Sequence, residues 1–138
     1  MPNLFVDTAG WGNLIDATQP YHSLAAIHYR SARQQQRKLI TTNYVIAELI
    51  TLLISPLRMP RSIAIEFIEE LKSATHIQIV HINAGLDRQA WEMFKRHQDK
   101  EWSLTDCVSF VLMKEQNIVE ALTSDHHFEQ AGFVRLLK

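Results

Sequence analysis

Apolar residues arrive along this chain in two alternating rhythms. Asn3 to Asp7 is a short apolar run ending in an acid, which predicts a first strand with Asp7 at its carboxyl end. Gly10 and Gly12 predict a loosened turn after it. Pro20 can open a helix through Leu24, Ala25, His28 and Ala32 that ends in the polar cluster Arg33 to Arg37. Lys38 to Thr41 predicts a second strand, with Thr42 as the N-cap of the next helix. That helix, Tyr44 to Ile54, is apolar almost all round and predicts burial, with Glu48 as its only charge. A carboxylate in such a setting must find a cationic partner, bind a cation or take up a proton.

Ser55-Pro56 ends that helix and Pro60 can begin another, in which Ile63, Ala64, Phe67, Ile68 and Leu71 recur at helical spacing. Ile77 to Ile82 predicts a third strand. Leu86, Ala90, Trp91 and Phe94 predict a helix facing the core, and Arg96 to Glu101 a charged linker. Ser103 to Asp106 fits the Ser/Thr-x-x-acid helix start, so Asp106 belongs in a first helical turn, where the helix dipole favours a carboxylate. Val119 to Thr123 predicts a short buried strand with Asp125 directly beyond it. Phe133 to Leu137 predicts a last strand, placed at an edge by Arg135. Strands alternating with helices predict an α/β fold: a mostly parallel, twisted sheet of four to five strands with helices on both faces. No internal repeat or long linker divides the chain, so one domain over residues 1–138 is expected.

Composition narrows the function classes. The 138 residues are 46% apolar and 21% charged, as in a soluble globular protein. A formal net charge of −1 gives no basic signature, so a nucleic-acid partner has to rest on a local patch or on a metal. Arg30, Arg33, Arg37 and Lys38 are the candidate patch. Cys107 is the only cysteine, which excludes an intramolecular disulfide and a Cys-cluster zinc site. No apolar run reaches membrane-spanning length and no signal peptide is visible, so a cytoplasmic protein with no membrane partner is expected.

The candidate chemistry lies in the acids. Asp7 and Asp125 end strands, Asp106 starts a helix that leads into a strand, and Glu48 lies early in a helix that follows one. Ligand sites of open α/β sheets lie beyond the carboxyl ends of the strands, so all four can face one sheet edge. Taken singly, an acid at a helix start or after a strand is a favourable cap or a turn residue. Four together would repel, and a hard divalent cation with oxygen ligands, Mg²⁺ or Mn²⁺, would relieve that repulsion. Such a centre suits displacement at phosphate. His126 and His127 sit beside Asp125 and could touch a phosphate, but adjacent histidines in an exposed loop read first as polar residues. The remaining histidines show no metal-ligand spacing, so zinc is not expected. Trp11, Trp91 and Trp102 read as core or interface residues, and Cys107 as a small buried hydrophobe.

At Phe5-Val6-Asp7-Thr8, at Thr42 to Leu49, at Ser103 to Phe110 and at Ala121 to Phe128 with Gln130-Ala131-Gly132-Phe133, the chain resembles PIN domains, in particular the VapC-type toxins of toxin–antitoxin pairs. The resemblance covers nearly the whole chain, and its last two motifs are specific in combination. It implies a Mg²⁺- or Mn²⁺-dependent ribonuclease that hydrolyses phosphodiesters with metal-activated water. It carries the metal to Asp7, Glu48, Asp106 and Asp125, with Thr8 and Thr105 as hydrogen-bonding support. It further implies a homodimer, placed on the helices Tyr44 to Leu53 and Ile63 to Leu71, and a small antitoxin partner lying near Pro56 to Pro60 with an Arg or Lys for the acids. Two rival readings are a non-catalytic acidic interaction domain and a phosphoryl-acceptor α/β domain. The second is disfavoured by Ala9, where a dehalogenase-like site wants an acid, and by the lack of lysine between Thr123 and Leu137.

Overall fold

The computed structural model describes residues 2–138. Five strands, β1 (Leu4–Val6), β2 (Leu39–Thr42), β3 (Ile77–Val80), β4 (Glu120–Leu122) and β5 (Val134–Arg135), form one sheet in the order β3-β2-β1-β4-β5. Every pairing is parallel. The helices are α1 (Thr8–Ile15), α2 (His22–Gln34), α3 (Asn43–Ile54), α4 (Arg61–Ser73), α5 (Ala84–Arg96), α6 (Leu104–Glu115) and the single turn α7 (His127–Gln130).

The chain steps outward from β1 to β2 to β3, then returns across the sheet to β4 and β5. Because parallel crossovers are right-handed, the reversal puts α1 to α4 on one face and α5 to α7 on the other. It also makes the seam between β1 and β4 the place where strand order reverses, which is where such sheets leave a crevice at their carboxyl ends. The central strands are buried on both faces and read as unbroken apolar runs, Leu4-Phe5-Val6 and Leu39-Ile40.

Three expectations are corrected. Gly10 and Gly12 lie inside α1, not in a loosened turn. Glycine costs helical stability, but here close packing demands it: a Cβ on Gly10 would stand 2.0 Å from the Leu122 carbonyl oxygen and 2.9 Å from Val6 Cγ1. Glycine therefore lets α1 seat directly on the end of β4. The helix α3 is not buried all round: Val45, Ile46, Leu49 and Leu53 face the core, whereas Glu48 and Ile50 are exposed. In α5, Leu86 and Ala90 face the core, but Trp91 and Phe94 lie outside it, stacked on each other with centroids 5.5 Å apart. Trp11 and Trp102 are core residues. Among the described residues no helix is long and apolar enough to cross a membrane.

Candidate active site

Register does most of the positioning. Phe5 pairs with Ala121 and Val6 with Leu122, so the next residues out, Asp7 and Thr123, face each other across the β1–β4 seam. Thr123 Oγ1 donates to Asp7 Oδ2 at 2.7 Å, and the Gly10 amide donates to Asp7 Oδ1 at 2.9 Å. Asp7 is thus both the N-cap of α1 and a buried carboxylate. Burial raises its pKa to about 7 despite both hydrogen bonds, and the charges of Asp125 and Asp106 push in the same direction.

Asp106 comes from the opposite face. Ser103 Oγ accepts from the Asp106 amide and Asp106 Oδ2 accepts from the Ser103 amide, each at 3.0 Å, which closes the capping box read in the sequence. Burial raises the Asp106 pKa, the Ser103 amide lowers it, Asp125 raises it and His127 lowers it again. Asp125 is fixed by its own turn. Its amide donates to Thr123 Oγ1 at 3.0 Å, and its Oδ1 accepts from the His127 amide at 2.9 Å. Glu48, on the outer side of α3, accepts from Thr8 Oγ1 at 2.7 Å.

The four acids line one cavity of about 240 Å³, together with Thr8, Thr105, Ala9, Val45, Leu52 and Ser109. No lysine or arginine is among its lining residues. It adjoins a wider groove along α3 that shares Thr8, Glu48, Leu52 and Thr105 and continues to Tyr44 and Pro56. Tyr44 donates its hydroxyl to Asp87, which ties the start of α3 to α5.

The donor set lining the cavity, four carboxylates with hydroxyls and no lysine or arginine, is that of a hard-cation site. An anionic cavity with a buried carboxylate that has no cationic partner meets that requirement, because a bound cation is what lets the group stay ionised at neutral pH. Cys107, next to Asp106, faces the other way into the core. Burial, then the Asp106 charge, lifts its thiol to about 11, which leaves it protonated and unreactive.

Two residues with roles at this site are absent from the linear pattern. Thr123 shares its hydroxyl between Asp7 and the Asp125 amide, and only the strand register exposes that. His127 is no loop ornament: its Nδ1 is 3.1 Å from Asp106 Oδ2 and 3.3 Å from Asp125 Oδ1. The signal available in the sequence was its spacing two residues past Asp125, where an Asx turn brings a residue back over the carboxylate. The basic patch read at Arg30 to Lys38 is partly consumed. Arg37 pairs with Glu120 at 2.7 Å and donates to the Pro2 carbonyl at 2.8 Å, and Arg33 contacts His76 at 3.2 Å.

Comparison with known proteins identifies the family and the fold. The family model of the PIN domain matches residues 4–134. The 23S rRNA-specific endonuclease VapC20 of Mycobacterium tuberculosis, from strains CDC 1551 / Oshkosh and H37Rv, is 32% identical over 133 residues, or 96% of this chain and 97% of the relative. A crystal structure of Mycobacterium tuberculosis VapC20, described as a sarcin–ricin loop cleaving toxin, superposes with a TM-score of 0.83 at 30% identity, over 99% of this chain and 100% of the other.

Proposed function

The chain belongs to the PIN-domain family, and on that premise we propose that it is a divalent-metal-dependent endoribonuclease of the VapC type, the toxin of a toxin–antitoxin pair. The observation that carries this reading is the convergence of Asp7, Glu48, Asp106 and Asp125 on one cavity lined by no lysine or arginine. In this reading the four acids would hold Mg²⁺ or Mn²⁺, which would neutralise charge at the phosphate and lower the pKa of a water so that it can be deprotonated for attack. Asp7, clamped by Thr123 and Gly10, presents a fixed carboxylate at the cavity floor. Glu48, held by Thr8 through Oε1, keeps Oε2 free to orient the attacking water and accept its proton. Thr105 lines the same wall and shapes it.

The relative's name and its structure's description specify a loop of the large ribosomal RNA for that protein. A structured ribosomal RNA is accordingly the substrate class to test for this one. A homodimer and a small antitoxin complete the reading, acting in the cytoplasm. The exposed isoleucines of α3 and α4, Ile50, Ile63 and Ile65, supply apolar surface for such contacts.

The test is incubation of the purified chain with intact ribosomes and with transfer RNA, in Mg²⁺, in Mn²⁺ and in a chelator. A discrete large-subunit RNA fragment, dependent on the cation and lost in Asp7→Asn, is the expected result. RNA left intact under every condition by a folded protein would identify the acidic interaction domain instead.

A further inference from the structure

We infer that His126 and His127, with Asp125 and Asp106, form a binding site for a borderline divalent cation of the zinc kind, on the rim of the acid cavity. The ligating atoms already stand near coordination distance. One such atom from each of Asp125, His126 and His127 lies within 4.8 Å of the others. Both imidazoles turn Nδ1 toward the same oxygen, Asp125 Oδ1, at 3.3 Å from His127 and 3.8 Å from His126. His127 Nδ1 also lies 3.1 Å from Asp106 Oδ2. Tetrahedral zinc with bonds of about 2.0–2.2 Å separates its ligands by roughly 3.3–3.6 Å. The three measured separations bracket that edge length.

Neighbouring residues do not ordinarily aim two rings at one oxygen. Here the turn at Asp125, closed by the His127 amide, folds the backbone so that the rings lie 4.6 Å apart over the carboxylate. His127 and Asp106 are largely buried, so half of the ligand set is held in place. His126 is exposed, so its ring can turn the last ångström inward and a cation can enter from solvent. Two imidazoles with two carboxylates select zinc over magnesium, which binds oxygen donors and keeps its water.

The rim site shares Asp106 and Asp125 with the hard-cation site. Resting on the nuclease reading above, zinc at the rim takes two of four acids from the activating ion, so zinc inhibits Mg²⁺-dependent cleavage. A plain histidine–carboxylate hydrogen-bond pair predicts no zinc binding at all.

The experiment is zinc titration of the metal-free chain against a chromophoric chelator, with Co²⁺ absorption as the geometric readout. The wild type should take up one zinc and give the intense visible bands of four-coordinate cobalt. His126→Ala and His127→Gln should each weaken zinc at least ~10-fold, the scale on which metal-site partners matter, while Glu48→Gln, across the cavity, should not. His126 is exposed, so loss of binding in His126→Ala cannot be ascribed to unfolding. Unchanged zinc affinity in both histidine variants, no uptake by the wild type, or a weak six-coordinate cobalt spectrum would each overturn the inference. None of these readouts uses RNA, so absence of ribonuclease activity would refute the function and leave this result standing.

Discussion

Asp7 and Glu48 face one cavity and are held in opposite ways. Asp7 ends a central strand, is 7% exposed and has both carboxylate oxygens bonded to protein. Glu48 rides an exposed helix face and has one bond, to the Thr8 hydroxyl. The strand-borne acid is preorganised but destabilising, because burial opposes its charge. The helix-borne acid is exposed, is held by a single hydrogen bond and is free to move. A site built this way has a rigid floor, where a cation must be gripped, and an adjustable wall, where water and substrate must pass.

The largest effect expected from that contrast is on catalysis. Asp7→Asn should lower RNA cleavage at least ~1000-fold, about 4 kcal/mol of transition-state stabilisation. The amide is isosteric and should leave the circular dichroism spectrum intact. A folded variant with wild-type activity would remove Asp7 from the chemistry.

The second effect is on stability without metal. The folded pKa of Asp7 stands near 7 and the unfolded value near 3.9. The native state therefore binds the proton more tightly. Its contribution is fully present below about pH 4 and is lost as pH rises to about 7. Between those limits the stability of the metal-free wild type should fall relative to Asp7→Asn by on the order of 4 kcal/mol, and added Mg²⁺ at pH 8 should restore it. Denaturant melts of both proteins at pH 4 and pH 8 check this. A pH-independent difference between them would show that Asp7 is not the strained group.

Smaller effects should follow at the two threonines. Thr123→Val removes the donor to Asp7 and the acceptor of the Asp125 amide, and should reduce cleavage by roughly 10- to 100-fold. Thr8→Val frees the adjustable acid and should cost less than ~10-fold in kcat, with little change in melting temperature. If Thr8→Val proved as damaging as Thr123→Val, the distinction between floor and wall would fail.

Much of this was legible in the sequence because each acid sits where local rules put it. Asp7 and Asp125 follow short apolar runs, Ser103 and Asp106 make a capping box, and Thr42 caps α3 by accepting from the Val45 amide. What was not legible depends on distant packing. Gly10 and Gly12 look like turn residues until the Leu122 carbonyl is found against Gly10. Helical spacing links both Ala90 and Trp91 to Phe94 but does not say which flank of the stripe the core covers. His127 meets Asp106 across 21 residues, through the approach of α6 to the β4 loop, which no linear motif encodes.

One oxygen of Asp106 already serves two protein partners. Oδ2 accepts from the Ser103 amide at 3.0 Å and lies 3.1 Å from His127 Nδ1, and the Asp106 side chain lines the cavity. A cation that draws on this oxygen weakens the hydrogen bond that closes the first turn of α6. Amide hydrogen exchange at Ser103 should therefore speed up as metal is added, while exchange in the buried centre of the helix slows with the gain in global stability. The start of α6 becomes a built-in gauge of occupancy, readable one residue at a time and without any substrate.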